Sequence, residues 1–230
     1  MNIAAVTGAM IEREGLSTLS EATRFVPGVN TIDQGPRGGS KIVVRGLNAE
    51  PLVNNDNSND GGGTVATYVG ETPVFIELKL NDMERVEVLL GPQGTLYGSG
   101  TLGGAIRYIP RRPDFEGNSV EIRGDTFRYN SADSQSYNAG STVNYSISNN
   151  FALRASVDWL DDSGFIDQNY VVKEPGVSLP NDFSDPLSDN FNSYEDTNYE
   201  KTWSGRLAAR WAPADAIDLN LTYYFQNQDI

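Results

Sequence analysis

The sequence predicts an α+β domain over residues 1–113, followed by antiparallel strands of a transmembrane β-barrel over residues 114–230. Two observations support this fold class. Glycine-rich turns join short β-branched strands in the first part, whereas apolar and polar residues alternate with a period of two in the second. A hydrophobic content of only 38% suits strands with one apolar and one wet face better than a large dry core.

Composition excludes several classes of function. The chain has no cysteine and no histidine, which rules out thiol and imidazole catalysis and the common zinc sites. A formal net charge of −14 disfavours a nucleic-acid partner, whose phosphates attract basic surfaces. The acidic pairs Asp161–Asp162 and Glu195–Asp196 lie in a long polar segment, where solvated charge is the ordinary interpretation. We therefore predict that the protein is not an enzyme.

The most informative segment, from Glu84 to Pro113, joins a strand to a glycine-rich run and then to a second strand. Residues 98–103 satisfy the dinucleotide-binding pattern G-x-G-x-x-G. That pattern holds pyrophosphate where a helix begins, because the helix N-terminus supplies the N–H groups. Here a β-rich stretch that ends at Pro110 follows instead, which argues against nucleotide binding. A surface turn cluster and a tightly packed loop are the remaining interpretations.

The same segment resembles the plug-domain signature of TonB-dependent outer-membrane receptors. The matching residues are Glu84, Arg85, Glu87, Gly91, Pro92, Gly94, Tyr97, Gly98, Gly103 and Gly104. Three earlier segments, residues 19–29, 41–47 and 68–74, resemble the preceding plug elements in the same order. The resemblance implies a plug domain over residues 1–113 and a barrel of about 22 strands in the whole protein.

Alternation in the second part predicts the first five barrel strands. They cover residues 120–129, 137–147, 151–159, 203–211 and 217–225. Aromatic and aliphatic side chains occupy one face and polar side chains the other, as lipid and a wet lumen require. The alternation of the first strand slips between Thr126 and Phe127, which suggests a bulge. The long segment from Asp161 to Lys201 is expected to be extracellular, and a soluble β-sandwich is the alternative fold.

The resemblance implies that a substrate first meets the outward loops of the plug. Candidate ligand-binding residues in those loops are Arg37, Asn48, Glu50, Asn54, Asp56, Asp60 and Phe75. The guanidinium of Arg37 could hold an anionic iron chelate, or it could be a solvated loop arginine. Asp56 and Asp60 imitate the start of a calcium loop, but Thr67 occupies the position of the required glutamate, and we predict no metal site.

Plug anchoring is the second role that the resemblance assigns. It implies that Arg45 faces glutamates of the barrel wall, which we expect beyond residue 230, because a buried guanidinium needs a charged partner. Receptors of this family usually have a second arginine immediately before the Gly-Pro turn. That position is Leu90 here, so the usual anchoring cluster is incomplete.

The implied function is TonB-dependent uptake of a scarce nutrient across the outer membrane of a Gram-negative bacterium. A ferric siderophore or similar iron complex is the first expectation, and an oligosaccharide, cobalamin or another ligand is the alternative. The expected partners are TonB of the TonB–ExbB–ExbD complex, outer-membrane lipid and the ligand, with no cofactor. A secreted carbohydrate-binding or adhesive β-domain is the alternative of another class.

The sequence shows no export signal after Met1, and five strands cannot enclose a plug of this size. We therefore expect that the start of the protein and most of its barrel lie outside this sequence. Because both edges of such a partial sheet would be open, we expect the chain alone to aggregate or stay unfolded in plain buffer.

Overall fold

The computed structural model describes residues 2–32, 41–48, 65–74, 77–98, 101–174, 176 and 191–230. The N-terminal half contains, in chain order, β1 (Asn2–Thr7), α1 (Gly8–Glu14), α2 (Leu19–Thr23), β2 (Val29–Ile32), β3 (Lys41–Val44), β4 (Leu47–Asn48), β5 (Val65–Val69), β6 (Thr72–Pro73), β7 (Met83–Leu90), α3 (Gly94–Tyr97) and β8 (Gly104–Pro110). The C-terminal half contains β9 (Ser119–Phe127), β10 (Ser136–Ser148), β11 (Phe151–Asp162), β12 (Gln168–Val172), β13 (Phe191–Tyr194), β14 (Glu200–Ala214) and β15 (Ile217–Asp229).

A mixed five-stranded sheet, here called the central sheet, organises the N-terminal half in the order β1-β7-β8-β5-β6. β7 pairs antiparallel with both β1 and β8, and β5 pairs parallel with β8. The apolar run of β7 is buried on both faces of this sheet. Val86 and Val88 belong to the larger core under the helices, whereas Leu89 packs with Ala105 and Tyr68 on the other face.

The start of α2 is defined by a capping box, as its sequence Thr-x-x-Glu favours. The hydroxyl of Thr18 accepts a hydrogen bond from the backbone N–H of Glu21 at 3.3 Å, and the Glu21 carboxylate accepts one from the N–H of Thr18 at 3.1 Å. Leu19 and Ala22 are then buried in the core. No helix in the described part of the chain is long and apolar enough to cross a membrane.

The C-terminal half forms an antiparallel five-stranded sheet, the wall sheet, in the order β15-β14-β11-β10-β9. All five predicted strands are present, and most extend further than the alternation indicated. The predicted bulge in the first strand is wrong, because β9 pairs with β10 without a register shift and ends at Phe127. The long segment after β11 contains a short hairpin of its own, formed by β12 and β13.

The wall sheet has the opposite polarity to that of a soluble protein. Its buried face is polar and is formed by Thr142, Asn144, Arg154, Ser156, Asp158, Thr202, Ser204 and Arg206. Its other face is apolar and exposed, and is formed by Val120, Ile122, Tyr137, Val143, Tyr145, Ile147, Val157, Trp203, Leu207, Trp211, Leu219, Leu221, Tyr223 and Phe225. Water on the apolar side would be unfavourable, so this face requires a lipid or detergent environment.

Gly104, at the end of the glycine-rich run, has a backbone φ of +152° and leaves no room for a side chain. A Cβ there would lie 2.2 Å from the carbonyl oxygen of Leu89, inside the β7–β8 ladder. Gly104→Ala should therefore lower the free energy of unfolding by about 2 kcal/mol or more. Gly94→Ala is the matched control, because a Cβ at Gly94 meets no atom within 4 Å. Urea unfolding of the detergent-purified protein measures both, and equal midpoints would contradict the packing argument.

Burial of Glu77 predicts a pH dependence of stability. Its carboxylate accepts a hydrogen bond from the N–H of Leu19 at 3.0 Å, yet desolvation raises the pKa of Glu77 above its ordinary value of 4.5. A carboxyl whose pKa is raised by folding favours the folded state below its unfolded pKa, and this contribution is lost as pH rises through the folded pKa. Glu77→Gln retains the acceptor oxygen but cannot ionise, so it should remove this loss of stability at higher pH.

The measurement is the difference in unfolding free energy between Glu77→Gln and the parent protein at pH 5 and at pH 8. The variant should gain relative stability at the higher pH. Glu116→Gln, which removes an exposed carboxylate, controls for the change of net charge. A difference that stays constant across this pH range would contradict the desolvation argument.

Candidate functional site

Residues 77–82, here called the ledge, connect β6 and β7 and lie between the core of the N-terminal half and the wall sheet. The ledge alternates in polarity along its length. Leu78 and Leu80 are buried in the core, and the N–H of Leu80 donates to the carbonyl of Ser17 at 3.1 Å. The side chains of Lys79 and Asn81 point the other way, towards the wall.

Polar contacts join the ledge to β14 and β15. The side-chain amide of Gln226 donates to the carbonyl of Glu77 at 3.0 Å and accepts from the N–H of Lys79 at 3.3 Å. The ammonium of Lys79 pairs with Glu200 at 2.5 Å, and the amide of Asn81 donates to the hydroxyl of Ser204 at 3.3 Å. Side chains of the wall therefore provide hydrogen-bond or ion-pair partners for both the backbone and the side chains of the ledge.

A buried carboxylate–arginine cluster ends the ledge. The Nε of Arg154 donates to Asp82 Oδ2 at 2.9 Å, and its Nη2 donates to Oδ1 at 2.6 Å, which makes this pair bidentate. Arg206 Nη2 also contacts Oδ2 of the same carboxylate. The side chains of Asp82, Arg154 and Arg206 are only 1%, 9% and 5% exposed. One carboxylate of the N-terminal half thus holds two guanidinium groups of the wall.

The backbone at Asp82 is itself unusual, with φ 54° in the left-handed region. Aspartate tolerates this conformation better than most residues, because its short polar side chain can be satisfied locally. The carbonyl of Asp82 accepts a hydrogen bond from the N–H of Arg111 at 3.1 Å. Both the side chain and the backbone of this turn are therefore held, and β7 begins at the next residue.

A second ion-pair group lies beside this cluster on the wall. Arg123 of β9 donates to Asp158 Oδ1 at 2.9 Å and to Glu121 at 2.8 Å. The other carboxylate oxygen, Asp158 Oδ2, and the Nε of Arg206 are buried atoms without a hydrogen-bond partner in the described part of the chain. Both residues line one cavity of about 30 Å³ between the ledge, β11, β14 and β15, which is large enough for a water molecule.

The signature residues of the glycine-rich segment have structural roles in the described geometry. Glu87 accepts hydrogen bonds from Arg85 at 2.7 Å and from Arg107 at 3.0 Å, which joins β7 to β8. The hydrogen bond to Glu87 raises the pKa of Arg85. The ring of Tyr97 lies 4.8 Å from that of Tyr68, whose hydroxyl donates to the carbonyl of Tyr97 at 2.7 Å.

Positive φ angles explain several of the signature glycines. They occur at Gly91, Gly98 and Gly104, with φ values of 101°, 75° and 152°. The N–H of Gly91 donates to the carbonyl of Gly103 at 3.0 Å and closes the loop between β7 and β8. The loop is therefore closely packed at its base, where Gly91, Gly103 and Gly104 are buried, whereas its tip is exposed at Leu96 and Gly98.

The structure describes few of the ligand-binding residues that the sequence predicts. Arg37, Glu50, Asn54, Asp56, Asp60 and Phe75 lie outside the described residues, together with the calcium-like segment. Asn48 is described through its backbone, which pairs with Val43 in β4. Their role in ligand binding stays a prediction. Within the described ranges no group of acidic side chains could hold a metal ion.

Arg45 lies in a turn after β3, with φ 51° and an exposed side chain. Its N–H donates to the carbonyl of Gly28 at 3.0 Å, and its guanidinium makes no ion pair within the residues that the structure describes. Leu90, in place of the second family arginine, is buried in the core. Anchoring by Arg45 therefore stays a prediction, whereas the cluster at Asp82 was missed by the sequence reasoning.

Comparisons with known proteins agree with this geometry. Residues 1–105 match the family model for the TonB-dependent receptor plug domain. The chain is 26% identical over 205 residues to the vitamin B12 transporter BtuB of Vibrio vulnificus (strain CMCP6), covering 87% of this chain and 30% of the transporter. It is 30% identical over 112 residues to the pesticin receptor of Yersinia pestis, covering 47% of this chain and 16% of that receptor.

Solved structures share the fold over almost the whole chain. The ferric yersiniabactin uptake receptor FyuA from Yersinia pestis has a TM-score of 0.66 at 21% identity, over 99% of this chain and 31% of the receptor. The ferripyoverdine receptor of Pseudomonas aeruginosa has a TM-score of 0.69 at 18% identity, over 99% of this chain and 25% of the receptor. The chain therefore spans about a third or less of the length of these relatives. Residues 1–105 therefore belong to the TonB-dependent receptor plug domain family, and the strands that follow share the fold of these receptors.

Proposed function

We propose that this chain forms the plug and the first wall strands of an outer-membrane transporter that imports a ferric siderophore or a similar iron complex. The proposal rests mainly on how the plug contacts the wall sheet. The polar ledge of the plug packs on the polar face of this sheet, and the opposite face of the sheet is apolar and exposed, as contact with lipid requires. A lumen that contains such a plug is not an open pore. Import past it requires that the plug be moved, and in this family TonB supplies the energy.

The outer face of the wall has the dimensions of a membrane-crossing sheet. Trp159 and Trp203 lie side by side near one end, with ring centroids 6.2 Å apart, and Phe151 pairs with Trp211 near the other end. The nine residues from Trp203 to Trp211 span about 26 Å along the strand, or about 20 Å along the membrane normal at a 40° tilt. This is close to the ~25 Å apolar band of outer-membrane barrels and supports insertion in that membrane.

Iron complexes are the ligand class that the relatives favour. The solved structures with the same fold include receptors for ferric yersiniabactin and ferripyoverdine, and the siderophore receptor PiuA from Acinetobacter baumannii. A second ligand class has its own support, because the vitamin B12 transporter matches 87% of this chain, including its wall strands. Cobalamin is therefore the second candidate. The plug-domain match and the exposed apolar face of the wall both argue against a secreted carbohydrate-binding or adhesive β-domain.

The test uses the whole receptor that contains this chain, produced in the outer membrane of a host without its own receptors for the probes. Uptake of iron-55 from a panel of ferric siderophores and of labelled cyanocobalamin is measured in cells with and without TonB. We expect uptake of at least one ferric siderophore, and its loss in cells without TonB. Cobalamin uptake alone would establish the second candidate, and TonB-independent uptake would contradict the proposed mechanism.

A further inference from the structure

We propose that Asp82, Arg154 and Arg206 form the anchor that holds the plug on the wall, and that Arg206 exchanges Asp82 for Asp158 when the plug is displaced. The anchor has the reverse polarity of the one implied for Arg45, because its carboxylate lies on the plug and its arginines lie on the wall. The holding role is independent of transport. The role of the exchange during uptake rests on the proposed function.

Burial distinguishes this anchor, together with the Lys79–Glu200 pair, from the exposed charged contacts between plug and wall. The side chain of Asp82 is 1% exposed, whereas Arg112 and Asp218, which also join the two parts, are 63% and 39% exposed. Exposed ion pairs contribute little because water screens them, but removing one partner of a buried pair leaves an uncompensated charge. Loss of the Asp82 carboxylate would leave two such charges, on Arg154 and Arg206.

The position of Asp82 makes the anchor effective for the whole plug. Asp82 immediately precedes β7, which pairs with both β1 and β8 in the central sheet. A displacement of that sheet away from the wall must therefore break the contacts of Asp82 or detach β7 from its neighbours. The left-handed backbone of Asp82 persists because its side chain and its carbonyl are both held.

The wall offers Arg206 a second partner at short range. Asp158 on β11 is opposite Ser204, and Arg206 on β14 is opposite Ser156, so the two side chains are diagonal neighbours on the same face. Both line the cavity next to the ledge, where Asp158 Oδ2 and Arg206 Nε are unpartnered among the described residues. When Asp82 leaves, Arg206 can pair with Asp158 Oδ2 while Oδ1 remains on Arg123.

This exchange lowers the cost of opening without weakening the closed state. In the closed state both guanidinium groups are held by Asp82. In the open state one of them keeps a carboxylate partner, and the other is hydrated by the water that enters the lumen. A two-state element of this kind allows tight closure together with release by a modest force, since neither state leaves a buried charge unpaired.

The holding role is tested by protease access to the plug in the detergent-purified whole receptor, without ligand or TonB. Asp82→Asn keeps the residue's shape and its tolerance of the left-handed backbone but removes the charge, and should increase the cleavable population about 100-fold. Asp218→Asn, which removes an exposed carboxylate at the same boundary, should leave cleavage unchanged. Equal cleavage of the two variants would overturn the anchor.

A double-mutant cycle distinguishes loss of the Asp82–Arg206 pair from general misfolding of the variants. Arg206→Gln alone should also increase cleavage of the plug. In the double variant with Asp82→Asn, however, cleavage should increase by less than the product of the two single-variant increases. The reason is that the second substitution removes one of the buried charges that the first leaves unpaired. Fully additive effects would show that Asp82 and Arg206 do not act as a pair, and would overturn the anchor as described.

The exchange step is tested with Asp158→Asn, which should make plug opening slower than in the parent protein, because Arg206 then has no carboxylate to accept it. Arg123→Gln breaks the same wall ion pair but leaves the carboxylate in place, and should not slow opening. Similar behaviour of these two variants would overturn the exchange. The protease readout decides this even if the receptor transports no ferric siderophore, and slower uptake in Asp158→Asn cells would extend it to transport.

Discussion

The inverted polarity of the wall sheet is the constraint on which the rest of the structure depends. A sheet with an apolar outer face has its polar side chains on the inside, where buried donors and acceptors must find partners. The plug therefore cannot dock on the wall through a hydrophobic surface. It needs a segment that is apolar towards its own core and polar towards the wall. The ledge meets this requirement by alternating Leu78 and Leu80 with Lys79 and Asn81 over a few residues.

The same constraint explains why charge is concentrated where the ledge ends. A bidentate arginine–carboxylate pair satisfies several polar atoms at once and has a defined geometry. It therefore aligns the plug with the wall as well as holding it. The apolar core of the plug is formed separately, by side chains of the central sheet, α1, α2, β2, β3 and the ledge, and includes no residue of the wall. Stability of the plug and its attachment to the wall thus rest on different residues.

Local sequence patterns predicted the elements of this structure better than its contacts. The five wall strands follow from side-chain alternation, which is a local property, and α2 starts at a local capping sequence from Thr18 to Glu21. The cluster at Asp82 could not be predicted, because its arginines are 72 and 124 residues away along the chain. Alternation placed both arginines on the wet face, but nothing local indicates which wet side chain meets a plug carboxylate.

Asp82 also shows why a resemblance transfers a fold more readily than a role. The family pattern predicts anchoring arginines at Arg45 and at the position of Leu90, each facing glutamates of the wall. In this chain Leu90 is buried with the core, and no ion pair joins Arg45 to the described residues. The physical need to hold a plug in a polar lumen is the same, but the charges can be distributed in either direction across the boundary. A carboxylate on the plug and arginines on the wall meet that need equally well, because the energy of a buried ion pair depends on its geometry and not on which side carries the positive charge.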